Sequence, residues 1–266
     1  MPEIKENNNA APQQISCKKS LLNSLPVFLI TFLSFICLFP YLFRPLWYDE
    51  SLTITEFVLL KNPLLIYKHY TIPNNHIVFN EILLFFMMIY NVLFAKISEV
   101  VFRMPSILFA LLSIFFIMTF WAKRFGKECA SLVSLSLIFS TGFEIYGTSV
   151  RGYMLSFLLT LLAIEFSLRF FERGKILHLI LFTISAMLSV GTIPSNIVLF
   201  AGIFLLVVSE NEISEAKKNW IRLFLLAFLP LFTFFIFYLP IFPKLIKALS
   251  LREGWENEWL TTVHFY

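Results

Sequence analysis

The sequence predicts an all-α polytopic membrane protein of about seven transmembrane helices, with juxtamembrane helices in the first outer loop. Composition comes first: 58% hydrophobic residues, 33 of them Phe, against 14% charged residues and a mean hydropathy of +0.79, is too apolar for a soluble domain of 266 residues. The apolar residues also come in solid blocks such as "MPSILFALLSIFFIMTFWA". A transmembrane barrel needs alternating residues, so these blocks read as helices. Finally, the basic residues gather in the short segments "AKRFGKE", "RFFERGK" and "EAKKNW", the loop bias that sets topology. The net charge of +4 is explained by that bias, and no nucleic-acid partner is expected.

Residues 1–22 are polar and poor in aromatics, which predicts a disordered cytoplasmic tail. The apolar run at 25–43 is span-length and lacks a small-residue cleavage site, so it reads as a first span rather than a cleaved signal. Further blocks of helical length lie at 77–95, 104–122, 129–147, 152–170, 176–193, 195–209 and 221–240. The block at 77–95 carries Asn80, Glu81 and Asn91 and is the weakest spanner. If it lies in the interface, twelve of the 21 basic residues fall on the cytoplasmic side, including all the compact basic loops. If it crosses, those loops flip outside and nine remain within. Seven spans with a cytoplasmic N-terminus follow from the first arrangement. Residues 23–243 then form the transmembrane module, residues 44–103 its first outer loop, and residues 244–266 the start of a further outer-face loop that the chain does not complete. Cys17, Cys37 and Cys129 show no paired or metal-type spacing, so neither disulfide nor structural zinc is expected.

This topology puts several polar residues on one outer face. Asp49 and Glu50 stand side by side in "RPLWYDESLTI", where adjacent carboxylates beside hydrocarbon are costly unless solvated or used. They also read as an interfacial pair ending a helix. In "TIPNNHIVFNE", Asn74, Asn75 and His76 offer hydrogen bonds, and His76 offers a titrating or metal-ligating ring, or else simple loop polarity. In "FEIYGTSVRGYML", Glu144, Tyr146, Arg151 and Tyr153 surround the outer junction of two spans. Arg151 stands outside against the inside bias, where a cation suits an anionic head group or phosphate, or where it snorkels beside an aromatic belt. A carboxylate that takes a proton and a guanidinium that holds a phosphate meet the needs of sugar transfer from a lipid phosphate. Phosphate is a good leaving group, so one general base on the acceptor suffices.

The ordered set "WYDES", "PNNHIVFNEILL", "VVFRMPSILFALLSIFFI", "AKRFGKECASLVSLSLIFSTGFEIYGTSVRGYMLSFLLTLLAI" and "TIPSNIVLF" resembles the GT-C glycosyltransferases. The likeness is to the bacterial relatives of the dolichyl-phosphate-mannose protein mannosyltransferases of family 39 and of the lipid A aminoarabinose transferase. It covers residues 25–204. The resemblance implies an inverting enzyme of the inner or plasma membrane, with its active site on the outer face. Its substrates would be a polyprenyl-phosphate-linked sugar and a glycan, lipid or protein acceptor of the cell envelope. It implies Asp49 as the essential acid with Glu50 beside it, and Arg151 near the donor phosphate. Tyr153, Asn75 and His76, from the same outer face, are the further candidates for binding the donor phosphate or sugar. Some relatives use a divalent metal and others do not, so a metal stays open, with Asp49 as its candidate ligand. A catalytically incomplete module and a lipid-linked-sugar flippase are the alternative readings.

Overall fold

The computed structural model describes residues 12–68, 76–93, 98–209, 219–244 and 246–247, and these are helical with no strand among them. Helix α1, Pro12–Leu38, runs into a 3-10 turn at Phe39–Phe43, where Pro40 cannot donate the next helical hydrogen bond. Residues 12–22 are therefore helical rather than part of a disordered tail, while 1–11 lie outside the described residues.

The first loop is a chain of short helices. α2, Tyr48–Leu52, passes into a π-turn at Thr53–Phe57 and a 3-10 turn at Val58–Leu60, and α3 follows at Pro63–Lys68. α4, Ile77–Leu93, then α5, Glu99–Phe116, lead to a second π-turn at Ile117–Trp121 and to α6, Ala122–Phe125. The apolar block at 129–147 is not one straight rod. It splits into α7, Lys127–Ile138, and α8, Thr141–Gly147, bent by 70°. Ser140 makes the break: its hydroxyl donates to Leu137 O and accepts from Phe143 N, capping α8 and ending α7. α9, Tyr153–Arg173, α10, Ile176–Thr192, α11, Ile197–Ser209, and α12, Trp220–Tyr238, complete the bundle.

Among the described residues, four stretches are long and apolar enough to cross a membrane: Leu25–Phe43, Glu99–Phe125, Tyr153–Arg173 and Trp220–Lys244. The bent α7–α8 pair makes a fifth if it counts as one span. Length and composition thus support four or five of the seven expected spans; α10 and α11 hold only 17 and 13 residues. The lipid-length apolar surface is visible directly: Phe28, Phe32, Leu108, Leu132, Phe228 and Phe232 are exposed, whereas a soluble fold would bury most of such a set.

The bundle has two chemically distinct ends. One gathers the last turn of α1, the starts of α5 and α9, and the end of α10, linked by Arg103 to Leu42 O and by His76 to Thr192 O. The opposite end gathers Arg124, Glu165, Arg169 and Glu172. There Glu165 pairs with Arg169 at 2.5 Å and Arg124 with Glu172 at 2.6 Å, while Arg222 donates to Phe171 O. Two features of α4 tie it to the first end. Its start packs Val78 against Gly191 and Phe79 against Gly152, and its last turns line a groove with Phe102 of α5. Only residues 94–97 separate α4 from Ser98, too few to return across a bundle. Hence α4 stays near that end, and at 17 residues it is among the shorter apolar helices rather than the span-length ones.

Candidate functional site

The site is built on one buried carboxylate. Glu50 is the third residue of α2, and its side chain reaches back to accept the Trp47 backbone N–H at 2.9 Å, half of a capping box. It is only 2% exposed. A buried charge needs partners, and Glu50 has four donors. Oε2 accepts from Trp47 N and, at 3.0 Å, from Arg103 Nη2; Oε1 accepts from Val150 N at 2.9 Å and Arg44 Nη2 at 3.3 Å.

Arg103, fully buried in the first turns of α5, completes the clamp by donating to the carbonyls of Leu42, Arg44 and Pro45. A monodentate cation could not satisfy three carbonyls and a carboxylate from one point; the planar guanidinium fork can. Arg44 stands over the Trp47 ring at 4.9 Å and donates to Ile145 O at 3.2 Å, tying the same loop to α8. Tyr41 donates to Glu144 at 2.7 Å across the same junction.

The consequence lies one residue along each chain segment. Because Glu50 holds Val150, the preceding Asp49 and the following Arg151 are brought together: Arg151 Nη1 lies 3.4 Å from Asp49 Oδ2 and 3.4 Å from Asp49 O. Their exposures differ sharply. The Asp49 side chain is 59% exposed, whereas that of Arg151 is 4% exposed. Asp49 therefore offers its carboxylate to an incoming molecule while Arg151 waits beneath it. Two further Arg151 nitrogens, Nε and Nη2, are buried without a hydrogen-bond partner among the described residues. A buried polar group left unpaired costs roughly 1–3 kcal/mol, so this arrangement is expensive unless something else uses it.

His76 adds a third group. Its ring meets Tyr153 edge-on at 5.0 Å, and Tyr153 in turn packs on Tyr146 at 4.5 Å and lies 5.9 Å from the Arg151 guanidinium carbon. Gly152 permits the approach: a methyl group there would strike the Thr192 side chain and press on Phe79 and His76 at 3.1 and 3.2 Å. Burial, and secondarily the Arg151 charge, push the His76 pKa down from 6.5 to about 3 against the opposing hydrogen bond to Thr192, so the ring is neutral near pH 7.

Of the residues singled out in the sequence, Asp49, Glu50, His76, Arg151 and Tyr153 share one end of the bundle. Asn75 and Asn74 lie outside the described residues. The turn at Thr192–Asn196 joins the same end, where Asn196 pins α9 to α10 through Ser156 and Ser189. Sequence reasoning missed Arg103 and Arg44 as site residues. Arg103 carried a usable signal: a lone cation inside "VVFRMPSILF" must find an anion or carbonyls. Among the described residues no three His, Cys, Asp or Glu side chains come together as metal ligands, and the nearest charged neighbour of Asp49 is the Arg151 cation. That donor set does not fit a divalent ion. No family model, curated protein or solved structure matches this chain.

Proposed function

We propose that the protein is an outward-facing membrane glycosyltransferase that moves a sugar from a polyprenyl-phosphate donor onto a hydroxyl of a glycan, lipid or protein acceptor. The observation that carries this reading is the Glu50 hub, which sets an exposed Asp49 against a buried, incompletely paired Arg151. In the proposed reaction Asp49 takes the proton of the acceptor hydroxyl. The acceptor oxygen bonds to the anomeric carbon from the side opposite the phosphate, and the carbon–oxygen bond to phosphate breaks with its electron pair moving to the phosphate. Arg151 stabilises that departing charge through Nε and Nη2. The products are an inverted glycoside and a polyprenyl phosphate. Glu50 is a positioning residue in this scheme, since its four donors leave it no access to substrate.

The membrane arrangement belongs to the same proposal. α1, α5, the bent α7–α8 pair, α9, α10, α11 and α12 would be seven spans, with α10 and α11 short. The end bearing Lys123, Arg124, Lys127, Arg169, Arg173, Lys175 and Arg222 would face the cytoplasm. The Asp49 end would then face outward. The test is transfer from a polyprenyl-phosphate hexose by the full chain in proteoliposomes. Asp49→Asn should lower the rate by about 10²–10⁴ while donor binding holds and the melting temperature falls little. Undiminished transfer would remove Asp49 as the base. Donor binding without transfer by the wild type would favour the catalytically incomplete module.

A further inference from the structure

We infer that His76 is a sugar-specificity residue, one that accepts a hydrogen bond from a neutral hydroxyl on the ligand whose anionic oxygen Arg151 holds. This rests on the donor-phosphate reading of Arg151 and adds what else the ligand must carry.

The tautomer is fixed by chemistry. His76 Nδ1 lies 3.2 Å from the Thr192 carbonyl oxygen, which can only accept, so Nδ1 carries the proton and donates. The other nitrogen, Nε2, is therefore a bare lone pair. It is buried, it has no partner among the described residues, and its residue is 3% exposed. Beside it Arg151 has the complementary deficit among those residues, two buried N–H groups without acceptors. Tyr153 packs near both, with the imidazole 5.0 Å and the guanidinium carbon 5.9 Å from its ring.

The unmet needs of the site thus define a ligand. It must bring an acceptor of negative charge to Arg151 and a hydrogen-bond donor to His76, two groups close enough that the Arg151 charge acts on the imidazole. The donor must be neutral and protonated. An anionic group would face a lone pair at Nε2, and an ammonium would sit beside the Arg151 cation. A sugar hydroxyl close to the phosphate-bearing carbon satisfies both conditions. All three orphaned atoms are enclosed, so a ligand reaches them only if side chains around them shift; Asp49, 59% exposed and paired with Arg151 Nη1, is the exposed neighbour of that guanidinium. In this role His76 neither carries charge nor exchanges a proton. It tests whether a hydroxyl is present.

The experiment measures binding of three probes to the full chain in detergent micelles: farnesyl phosphate, farnesyl-phosphoryl glucose, and the monodeoxy forms of the latter. One monodeoxy form should bind the wild type roughly tenfold more weakly than the parent glucoside, the value of a single hydrogen bond. His76→Phe, which keeps the ring packing on Tyr153, should abolish that difference and leave farnesyl phosphate binding unchanged. A second readout needs no variant. With the four histidines ¹⁵N-labelled, the His76 Nε2 resonance should move on adding the glucoside but not the critical deoxy form. Equal affinity for every deoxy form, a penalty that persists in His76→Phe, or an unmoved Nε2 resonance would overturn the inference while the phosphate site stood. Failure of the wild type to bind farnesyl phosphate, or equal binding by Arg151→Met, would instead bring down the phosphate reading and this inference with it.

Discussion

Adjacent carboxylates have opposite fates at Asp49 and Glu50, and the difference follows from which way each side chain leaves α2. Glu50 turns inward to four donors, and Asp49 turns outward to one cation and solvent. Removing one partner of a buried pair strands the other, so Arg103→Met should destabilise the folded protein by about 3–5 kcal/mol, read as a large drop in melting temperature. Asp49→Asn should lower that temperature far less, because the Asp49 side chain is 59% exposed and an amide oxygen and the unchanged backbone carbonyl at 49 can still accept from Arg151. Equal effects of the two substitutions would mean that the hub is misassigned. His76 gives a pH signature. Its folded pKa of about 3 lies below the unfolded value of 6.5, so as pH falls through that window the unfolded chain takes up a proton the folded chain refuses. Stability contributed by neutral His76 is full above pH 6.5 and is lost progressively toward pH 3. His76→Gln should therefore flatten the melting temperature between pH 7 and 5 relative to wild type. An unaltered slope would place the titration elsewhere.

At the scale of elements, the apolar blocks announced where helices lie but not where they break. The run at 129–147 reads as one span because its residues are nearly all apolar, yet a single serine hydroxyl at 140 supplies a cap that ends one helix and opens another. Helix α4 was more legible: Asn80, Glu81 and Asn91 marked it as a poor spanner, and it is among the shorter apolar helices, near the site end. Packing through Gly152 was not legible, since nothing local says that Thr192, forty residues away, must fit against it. That contact predicts that Gly152→Ala costs roughly 1–3 kcal/mol, because the α9 start, α10 end and His76 segment must all shift. Tyr153 and His76 would separate with it, so the substitution should also change the near-ultraviolet circular dichroism of the tyrosines. A variant as stable as wild type would show that the approach is looser than the structure has it.

For the whole molecule, composition foretold the helical character and the helices long and apolar enough to cross a membrane, and charge asymmetry foretold that Asp49, Glu50, His76 and Arg151 share an end. What it could not supply was the pairing between Arg103 and Glu50, 53 residues apart, because an ion pair leaves no periodic trace in the chain. The sidedness is open to a labelling test. Cys129 is exposed at the basic end and Tyr48, at 74% exposure, stands at the other. In sealed cells an impermeant maleimide should label Tyr48→Cys, introduced without the native cysteines, and spare Cys129; the reverse pattern would invert the membrane orientation. The central claim, that Asp49 and Arg151 act as one catalytic unit, is tested most directly by a double-substitution cycle on transfer from a polyprenyl-phosphate sugar. If the pair works as a unit, Asp49→Asn with Arg151→Met should lose little more than the worse single substitution. Losses that simply multiply, or a double variant that transfers at the wild-type rate, would contradict it.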